Sequence, residues 1–148
     1  MPDSEIVVAD TSVLIAFEKL KKLELLCLAY DKIILTEAVF NEYSNDLQHC
    51  FSLKKAPFFF ANFLVANLGI GRGEAESISL AYNTGISILL DDLKARKFAT
   101  EMGCNLSGAI GVLYKMENKQ IIDSAFNEVI SLKNMGFRIS DKLINKLS

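Results

Sequence analysis

The stretch that decides the fold is IVVADTSVLI, residues 6–15. Its first four residues are apolar, mostly β-branched and without helical period, which is typical of a strand buried on both faces of a parallel sheet. Asp10, Thr11 and Ser12 follow as a polar turn, and the apolar segment 13–17 comes next. Because Thr and Ser are good N-cap residues, we predict that Thr11 or Ser12 begins a helix.

The same order of strand, polar turn and helix recurs along the chain. Residues 33–35 and 86–90 are short apolar runs followed by polar residues and a segment with helical spacing, and residues 104–106 are a candidate fourth strand. Two amphipathic helices are predicted at residues 124–135 and 141–147. We therefore predict an α/β fold for one domain, residues 1–148, with a three-layer α/β/α architecture and a central, mostly parallel sheet of about four to five strands.

The composition favours a compact soluble domain. The chain has 51% hydrophobic residues, only two prolines and a net charge of −2. Its longest apolar stretch, residues 56–66, is interrupted by Pro57 and Asn62 and is far shorter than the ~18 residues of a membrane helix. The start of the chain is acidic and polar, unlike a signal peptide. These features predict a cytoplasmic protein without a membrane segment, and the lack of a basic excess argues weakly against nucleic-acid binding.

The three cysteines are far apart in the sequence. Cys27, Cys50 and Cys104 form no CxxC motif and are odd in number, which indicates a reducing compartment. His49 lies beside Cys50, but a structural zinc site needs four well-spaced ligands. We therefore do not predict a zinc site.

Acidic residues follow several of the predicted strands. The candidates are Asp10, Glu37 or Glu42, Glu74, and the pair Asp91 and Asp92. In a parallel sheet the carboxyl ends of the strands share one edge, where ligands bind. Two such charges 4 Å apart repel by about 4 kcal/mol at an effective dielectric of 20, so a cation or protonation must stabilise the cluster. Oxygen ligands alone favour Mg²⁺ or Mn²⁺, which can activate water for phosphodiester hydrolysis.

Each of these residues also has a purely structural interpretation. An aspartate after a strand is commonly a helix cap or turn former, and this applies to Asp10 and to the acidic pair. Glu74 and Glu76 suit the first turn of a helix. A phosphoacceptor receiver domain also gathers acids at strand ends, but it needs an acidic pair after the first strand, where this chain has Asp10 alone. The glycines at 69, 71 and 73 are a weak phosphate-binding signal and predict a loop.

Six segments together resemble the PIN-domain family. They are VADTSVLI (8–15), LTEAVFNEY (35–43), GEAESISLA (73–81), LLDDLKAR (89–96), SGAIGVL (107–113) and GFRIS (136–140). The similarity covers nearly the whole chain, and the order and spacing of the motifs are more specific than any one of them. It implies a metal-dependent ribonuclease that hydrolyses RNA, often the toxin of a toxin–antitoxin pair.

The resemblance also implies roles for individual residues. The metal ligands and catalytic acids would be Asp10, Glu42, Glu74 and either Asp91 or Asp92, with Glu42 fitting the family offset better than Glu37. Thr11 or Ser12 would hydrogen-bond a ligand or cap the helix, and Arg96 would contact substrate phosphate, with Lys94 and Lys97 as weaker candidates.

The resemblance leaves the partners open. We expect an RNA substrate, an antitoxin protein as partner, and a homodimer or higher homo-oligomer. Residues 58–65 are rich in phenylalanine and are predicted to be core, with a partner surface as the alternative. A catalytically silent PIN-like binding or regulatory protein is the alternative function.

Overall fold

A computed structural model of the protein describes residues 5–43 and 47–147. The polar start, residues 1–4, residues 44–46 of the weakly patterned middle stretch, and Ser148 lie outside this description. The strands are β1 (Ile6–Ala9), β2 (Lys32–Leu35), β3 (Phe51–Leu53), β4 (Ser87–Leu89) and β5 (Leu106–Ser107). The α-helices are α1 (Thr11–Lys19), α2 (Leu26–Ala29), α3 (Glu37–Glu42), α4 (Phe58–Leu68), α5 (Arg72–Thr84), α6 (Leu93–Glu101), α7 (Ala109–Asn118), α8 (Ala125–Asn134) and α9 (Asp141–Leu147), and a 3-10 turn spans Leu23–Leu25.

The five strands form one parallel sheet in the order β3-β2-β1-β4-β5. β1 lies at the centre, where Val8 is in register with Ile34 on one side and Ile88 on the other. All four strand pairings are parallel, which confirms the predicted sheet. The sequence did not predict β3, because it is three residues long, partly exposed and without a clear apolar run.

Apolar side chains cover both faces of the sheet. On one face α1, α7 and α8 contribute Phe17, Leu113 and Val129 to a buried cluster. On the other, α4, α5 and α6 contribute Leu64, Ile78 and Ala99 to a second cluster. This confirms the three-layer α/β/α architecture, because alternate residues of β1 enter opposite clusters. Among the described residues, no helix has the length and apolarity needed to cross a membrane.

Helix α4 is less buried than the sequence indicated. Ala61 and Leu64 are buried, but Phe58, Phe59 and Phe63 are 71%, 88% and 49% exposed. The prediction of core burial was therefore wrong for these three phenylalanines. The helix buries only the stripe that contacts α5, and its uniform apolarity concealed which face that would be.

Two of the cysteines are joined. Cys27 in α2 and Cys50 before β3 form a disulfide with their Cα atoms 5.6 Å apart, and Cys104 is free and half-buried. The pairing was missed because 23 residues separate the two cysteines, and only the parallel β2–β3 pairing brings them together. The disulfide removes the argument for a reducing compartment that rested on three unpaired cysteines. It also means that Cys50 is not available as a metal ligand.

Candidate active site

A cleft of about 500 Å³ lies at the carboxyl edge of the sheet. Its lining includes five acidic residues, namely Asp10, Glu42, Glu74, Asp91 and Asp92. The ends of β1 and β4 supply Asp10 and the acidic pair, while α3 and α5 supply the glutamates. The structure thus brings together the acidic residues that the sequence placed at separate strand ends.

Asp10 is the most deeply buried acid, with 3% of its surface exposed. Its Oδ2 accepts hydrogen bonds from the Ser12 backbone N–H at 3.3 Å and from Ser12 Oγ at 3.0 Å, so Asp10, and not Thr11 or Ser12, is the N-cap of α1. Its Oδ1 is buried and has no hydrogen-bond partner in the described part of the chain. Burial raises the pKa of this carboxyl, hydrogen bonds from Ser12 and Thr11 oppose the rise, and the Glu42 charge adds to it.

Glu42 is held by Thr11. The Thr11 hydroxyl donates a hydrogen bond of 2.8 Å to Glu42 Oε2 and so joins α1 to α3. A Cβ atom on Gly73 would lie 2.7 Å from Glu42 Oε1, so a larger residue there would force the carboxylate to move from this position. Glu37 does not line the cleft. It lines a neighbouring surface depression that Glu42 also borders, so of the two alternatives that the sequence left open only Glu42 lines the cleft.

Glu76 has a structural role that the sequence did not predict. Its Oε1 accepts a 2.9 Å hydrogen bond from the Ala38 backbone N–H in the first turn of α3, and its Oε2 pairs with Arg72. Thr36, the residue before α3, makes no side-chain capping bond. Glu76 therefore satisfies the start of α3 from another helix, and this contact positions the helix that carries Glu42.

Glu74 lies between two other carboxylates in the first turn of α5. Burial, followed by the charges of Asp10 and Asp92, raises its pKa to about 7. A hydrogen bond with the Asp92 side chain also favours the protonated form, and one with the Gly71 backbone opposes it. Near neutral pH, Glu74 can thus hold a proton, which lowers the repulsion within the cluster.

The adjacent aspartates have different partners. Asp92 is the N-cap of α6, where its Oδ2 accepts a 2.9 Å hydrogen bond from the Ala95 N–H. Both carboxylate oxygens of Asp91 contact the Ala109 N–H at the start of α7, at 3.1 and 3.2 Å. Burial raises the pKa of Asp91, while the Ala109 N–H and the Arg96 charge oppose the rise. Asp91 therefore fastens α7 to the sheet, and Asp92 is the acid adjacent to Glu74.

The basic residues of the cleft differ from those expected. Arg96 donates a 2.7 Å hydrogen bond to the Leu90 carbonyl and is not among the residues that line the cleft. Arg138 does line it, together with Phe137 and Ile139. No role was predicted for these three, although their segment, GFRIS, is one of the motifs that carry the family resemblance. That motif was the only sequence signal that could have identified them.

The resemblance to PIN domains predicted both the α/β/α fold and a cleft lined by acidic residues. A family model described as DUF3368, a PIN domain, matches residues 6–148. The chain belongs to the PIN-domain family. PIN domains are generally nucleases and typically use divalent metal ions. No curated protein matches the chain.

The acids of this PIN domain fit a divalent cation by their chemistry. Across residues 5–43 and 47–147, no three acidic, histidine or cysteine side chains are already close enough to form a metal-binding group. However, the buried Oδ1 of Asp10 lacks a partner, and the carboxylates of Glu42 and Glu74 are near enough to interact with its charge. A hard cation would supply the missing partner and offset the repulsion, given small side-chain movements.

We expect the metal-free PIN domain to lose stability as the pH rises from 5 to 8. The folded state raises the Glu74 pKa from 4.5 to about 7, so the stability from this group is full below pH 4.5 and is lost as the pH passes through 7. The raised pKa values of Asp10 and Asp91 act in the same direction. The measurement is the melting temperature in EDTA across this range.

The matched variants are Glu74→Gln and Glu101→Gln, the second at an exposed position of α6. Glu74→Gln should remove a large part of the pH dependence, and Glu101→Gln should leave it unchanged. A wild-type melting temperature that is flat or rises from pH 5 to 8 would contradict this account of the cluster.

Proposed function

We propose that the protein is a metal-dependent endoribonuclease. The observation that carries the proposal is the buried Asp10 oxygen that has no partner among the described residues and lies in a cleft shared with Glu42, Glu74 and Asp92. An isolated buried carboxylate is costly unless it is paired or coordinates a metal ion. Membership of a family of nucleases indicates which reaction such a site serves.

Four acids have the role of ligands in this proposal: Asp10, Glu42, Glu74 and Asp92. Thr11 orients the Glu42 carboxylate, and Ser12 orients that of Asp10 through two hydrogen bonds. Asp91 maintains the site by holding α7, and its backbone N–H also donates a hydrogen bond of 3.3 Å to Ser12 Oγ. Bound Mg²⁺ or Mn²⁺ would lower the pKa of water and stabilise negative charge on the departing oxygen.

The residues of the cleft favour direct hydrolysis. Its described lining contains no histidine or cysteine, so no Ser–His or Cys–His pair is available there to form a covalent intermediate. Water held opposite the departing 3′ oxygen would therefore attack phosphorus in line. Loss of a proton from Glu74 near pH 7 would complete the set of charged ligands.

The biological setting is part of the same proposal. The exposed phenylalanines of α4, at 58, 59 and 63, would suit contact with an antitoxin protein or a second copy of the chain, since clustered exposed apolar side chains are typical of interaction surfaces. We propose the toxin of a toxin–antitoxin pair that forms a homodimer or higher homo-oligomer.

The test combines cleavage with metal binding. Purified protein is incubated with labelled RNA and with DNA of the same sequence, in Mg²⁺, Mn²⁺ or EDTA. We expect RNA fragments with Mg²⁺ or Mn²⁺, none with EDTA, and heat of metal binding by titration calorimetry. Metal binding without cleavage of any RNA would contradict the nuclease proposal.

A catalytically silent PIN-like binding or regulatory protein is the second candidate. The observation in its favour is that the described acids do not form a ready metal-binding group. This alternative predicts that calorimetry gives no metal-binding heat and that RNA remains intact in every buffer.

A further inference from the structure

The cleft is larger and more apolar than a metal site needs. Its volume is about 500 Å³. Six water molecules around a cation occupy roughly 180 Å³, at about 30 Å³ each. The remaining space lies beside apolar side chains, which cannot stabilise an ion or a phosphate group. This remaining space is large enough for a further part of the substrate.

Five residues form what we call the apolar wall of the cleft: Ile15, Ile110, Leu132, Phe137 and Ile139. They come from α1, α7, α8 and the segment after α8, so four parts of the chain converge here. Phe137 and Ile139 pack against the core with part of their surface and leave part exposed to the cleft. Ile15 is 36% exposed. Apolar surface gathered in a concave site is typical of ligand binding.

Arg138 adds a positive charge to this side of the cleft. It is exposed, and it makes no ion pair or side-chain hydrogen bond within the described ranges. Arg96, in contrast, is bound to the Leu90 carbonyl. The lining of the cleft thus combines acids, an apolar surface and an uncommitted guanidinium that lies between Phe137 and Ile139 in the sequence.

A nucleotide has chemical groups that match all three features. Its base has flat apolar faces, its phosphate is an anion suited to Arg138, and the scissile phosphate needs a metal ion held by acids. A protein or lipid segment would match the apolar wall but would give no role to the acids opposite it. This complementarity favours a nucleobase as the occupant.

We propose that the apolar wall is a subsite for one unpaired nucleobase next to the scissile phosphate, with the Phe137 ring against the base and Arg138 at a neighbouring phosphate. This inference rests on the proposed nuclease function and adds to it a base-binding surface made by Phe137 and its apolar neighbours. A base within a duplex is stacked and paired, so it reaches such a wall only if it leaves the helix. Loops and single-stranded regions therefore supply the substrate.

Binding is measured first, by fluorescence anisotropy in the Asp10→Asn background, with labelled single-stranded and duplex RNA in Mg²⁺. Single-stranded RNA should bind at least about tenfold more tightly than duplex RNA. Phe137→Ala should weaken single-strand binding by about tenfold, the size expected of one base–aromatic stacking contact. The control is Tyr82→Ala, at a 54% exposed aromatic residue of α5 outside the cleft, which should leave binding unchanged.

Two further variants keep the test independent of folding. Phe137→Leu retains apolar volume without a ring and should also weaken binding, whereas Phe137→Tyr retains the ring and should bind as wild type does. Arg138→Gln should reduce the slope of log affinity against log salt by about 0.7, the value for one lost phosphate contact on a single strand.

Cleavage of abasic substrates distinguishes this inference from the nuclease proposal itself. In wild type, removing one base beside the cleaved bond should lower kcat/KM by about tenfold. In Phe137→Ala the same removal should have no further effect, because the contact is already lost. If cleavage is retained and depends neither on the base in the substrate nor on the Phe137 ring, the base subsite is wrong and the nuclease proposal stands. If single-stranded RNA binding depends on the Phe137 ring but no RNA is cleaved, the nuclease proposal is wrong and the base-binding site stands. Equal binding of single and duplex RNA would overturn the inference.

Discussion

Asp10→Asn is expected to lower RNA cleavage by about 10³-fold, or ~4 kcal/mol of transition-state stabilisation, while the melting temperature stays the same or rises. Activity falls because the amide removes the charge that would hold the cation. Stability does not fall, because the wild-type carboxylate is buried and one of its oxygens has no partner in the described structure. Asparagine also caps a helix as well as aspartate, so the start of α1 is retained.

The measurements are the initial cleavage rate in saturating Mn²⁺ and the melting temperature in EDTA. Asp123→Asn, at an exposed position between α7 and α8, is the matched control and should change neither quantity. Wild-type activity in Asp10→Asn would contradict the assignment of Asp10 as a ligand. A large loss of stability would show that its charge supports the fold instead.

Gly108→Ala is expected to destabilise the protein by about 2 kcal/mol, the cost of leaving a buried backbone donor without its partner. A Cβ atom at this position would lie 2.2 Å from Asp91 Oδ1 and 2.8 Å from the Arg96 guanidinium. Asp91 would have to rotate away and would release the Ala109 N–H at the start of α7. For a chain of this size the melting temperature should fall by roughly 4–8 °C.

Gly111→Ala is the matched control three residues further along. Its Cβ would meet Ser107 at no less than 3.5 Å, an ordinary contact, and alanine is favoured over glycine inside a helix by about 1 kcal/mol. The control should therefore raise the melting temperature while Gly108→Ala lowers it. Equal effects of the two substitutions would show that the Asp91 contact with α7 has little importance.

Asp10 and Asp91 line the same cleft but have different roles, one in binding a cation and the other in holding a helix. Ser12 connects the two parts, because its hydroxyl donates to Asp10 and accepts from the Asp91 N–H. Asp10 is placed to bind a cation, and Asp91 is placed to hold the helix that carries Ile110 into the apolar wall. The assignment of Asp91 as a catalytic metal ligand stays a prediction, but its carboxylate already has a structural partner.

Local sequence patterns predicted much of the fold. The apolar runs at β1, β2 and β4 are short-range signals, and the structure confirms them. The features that the sequence did not predict are those that depend on contacts between residues far apart in the chain. β3 is defined by its pairing with β2, the start of α3 by Glu76 of α5, and the disulfide by the closeness of Cys27 and Cys50.

The sequence by itself determined the α/β fold and the presence of acids at the ends of successive strands, since strand runs, caps and family motifs are properties of neighbouring residues. Only the tertiary structure decided which acids face the cleft. It placed Glu42 and not Glu37 beside Thr11, and it committed Asp91 to α7. The tertiary structure also places Phe137 in the same cleft as Asp10. The position of Phe137 depends on how the last third of the chain packs, which no local sequence pattern encodes.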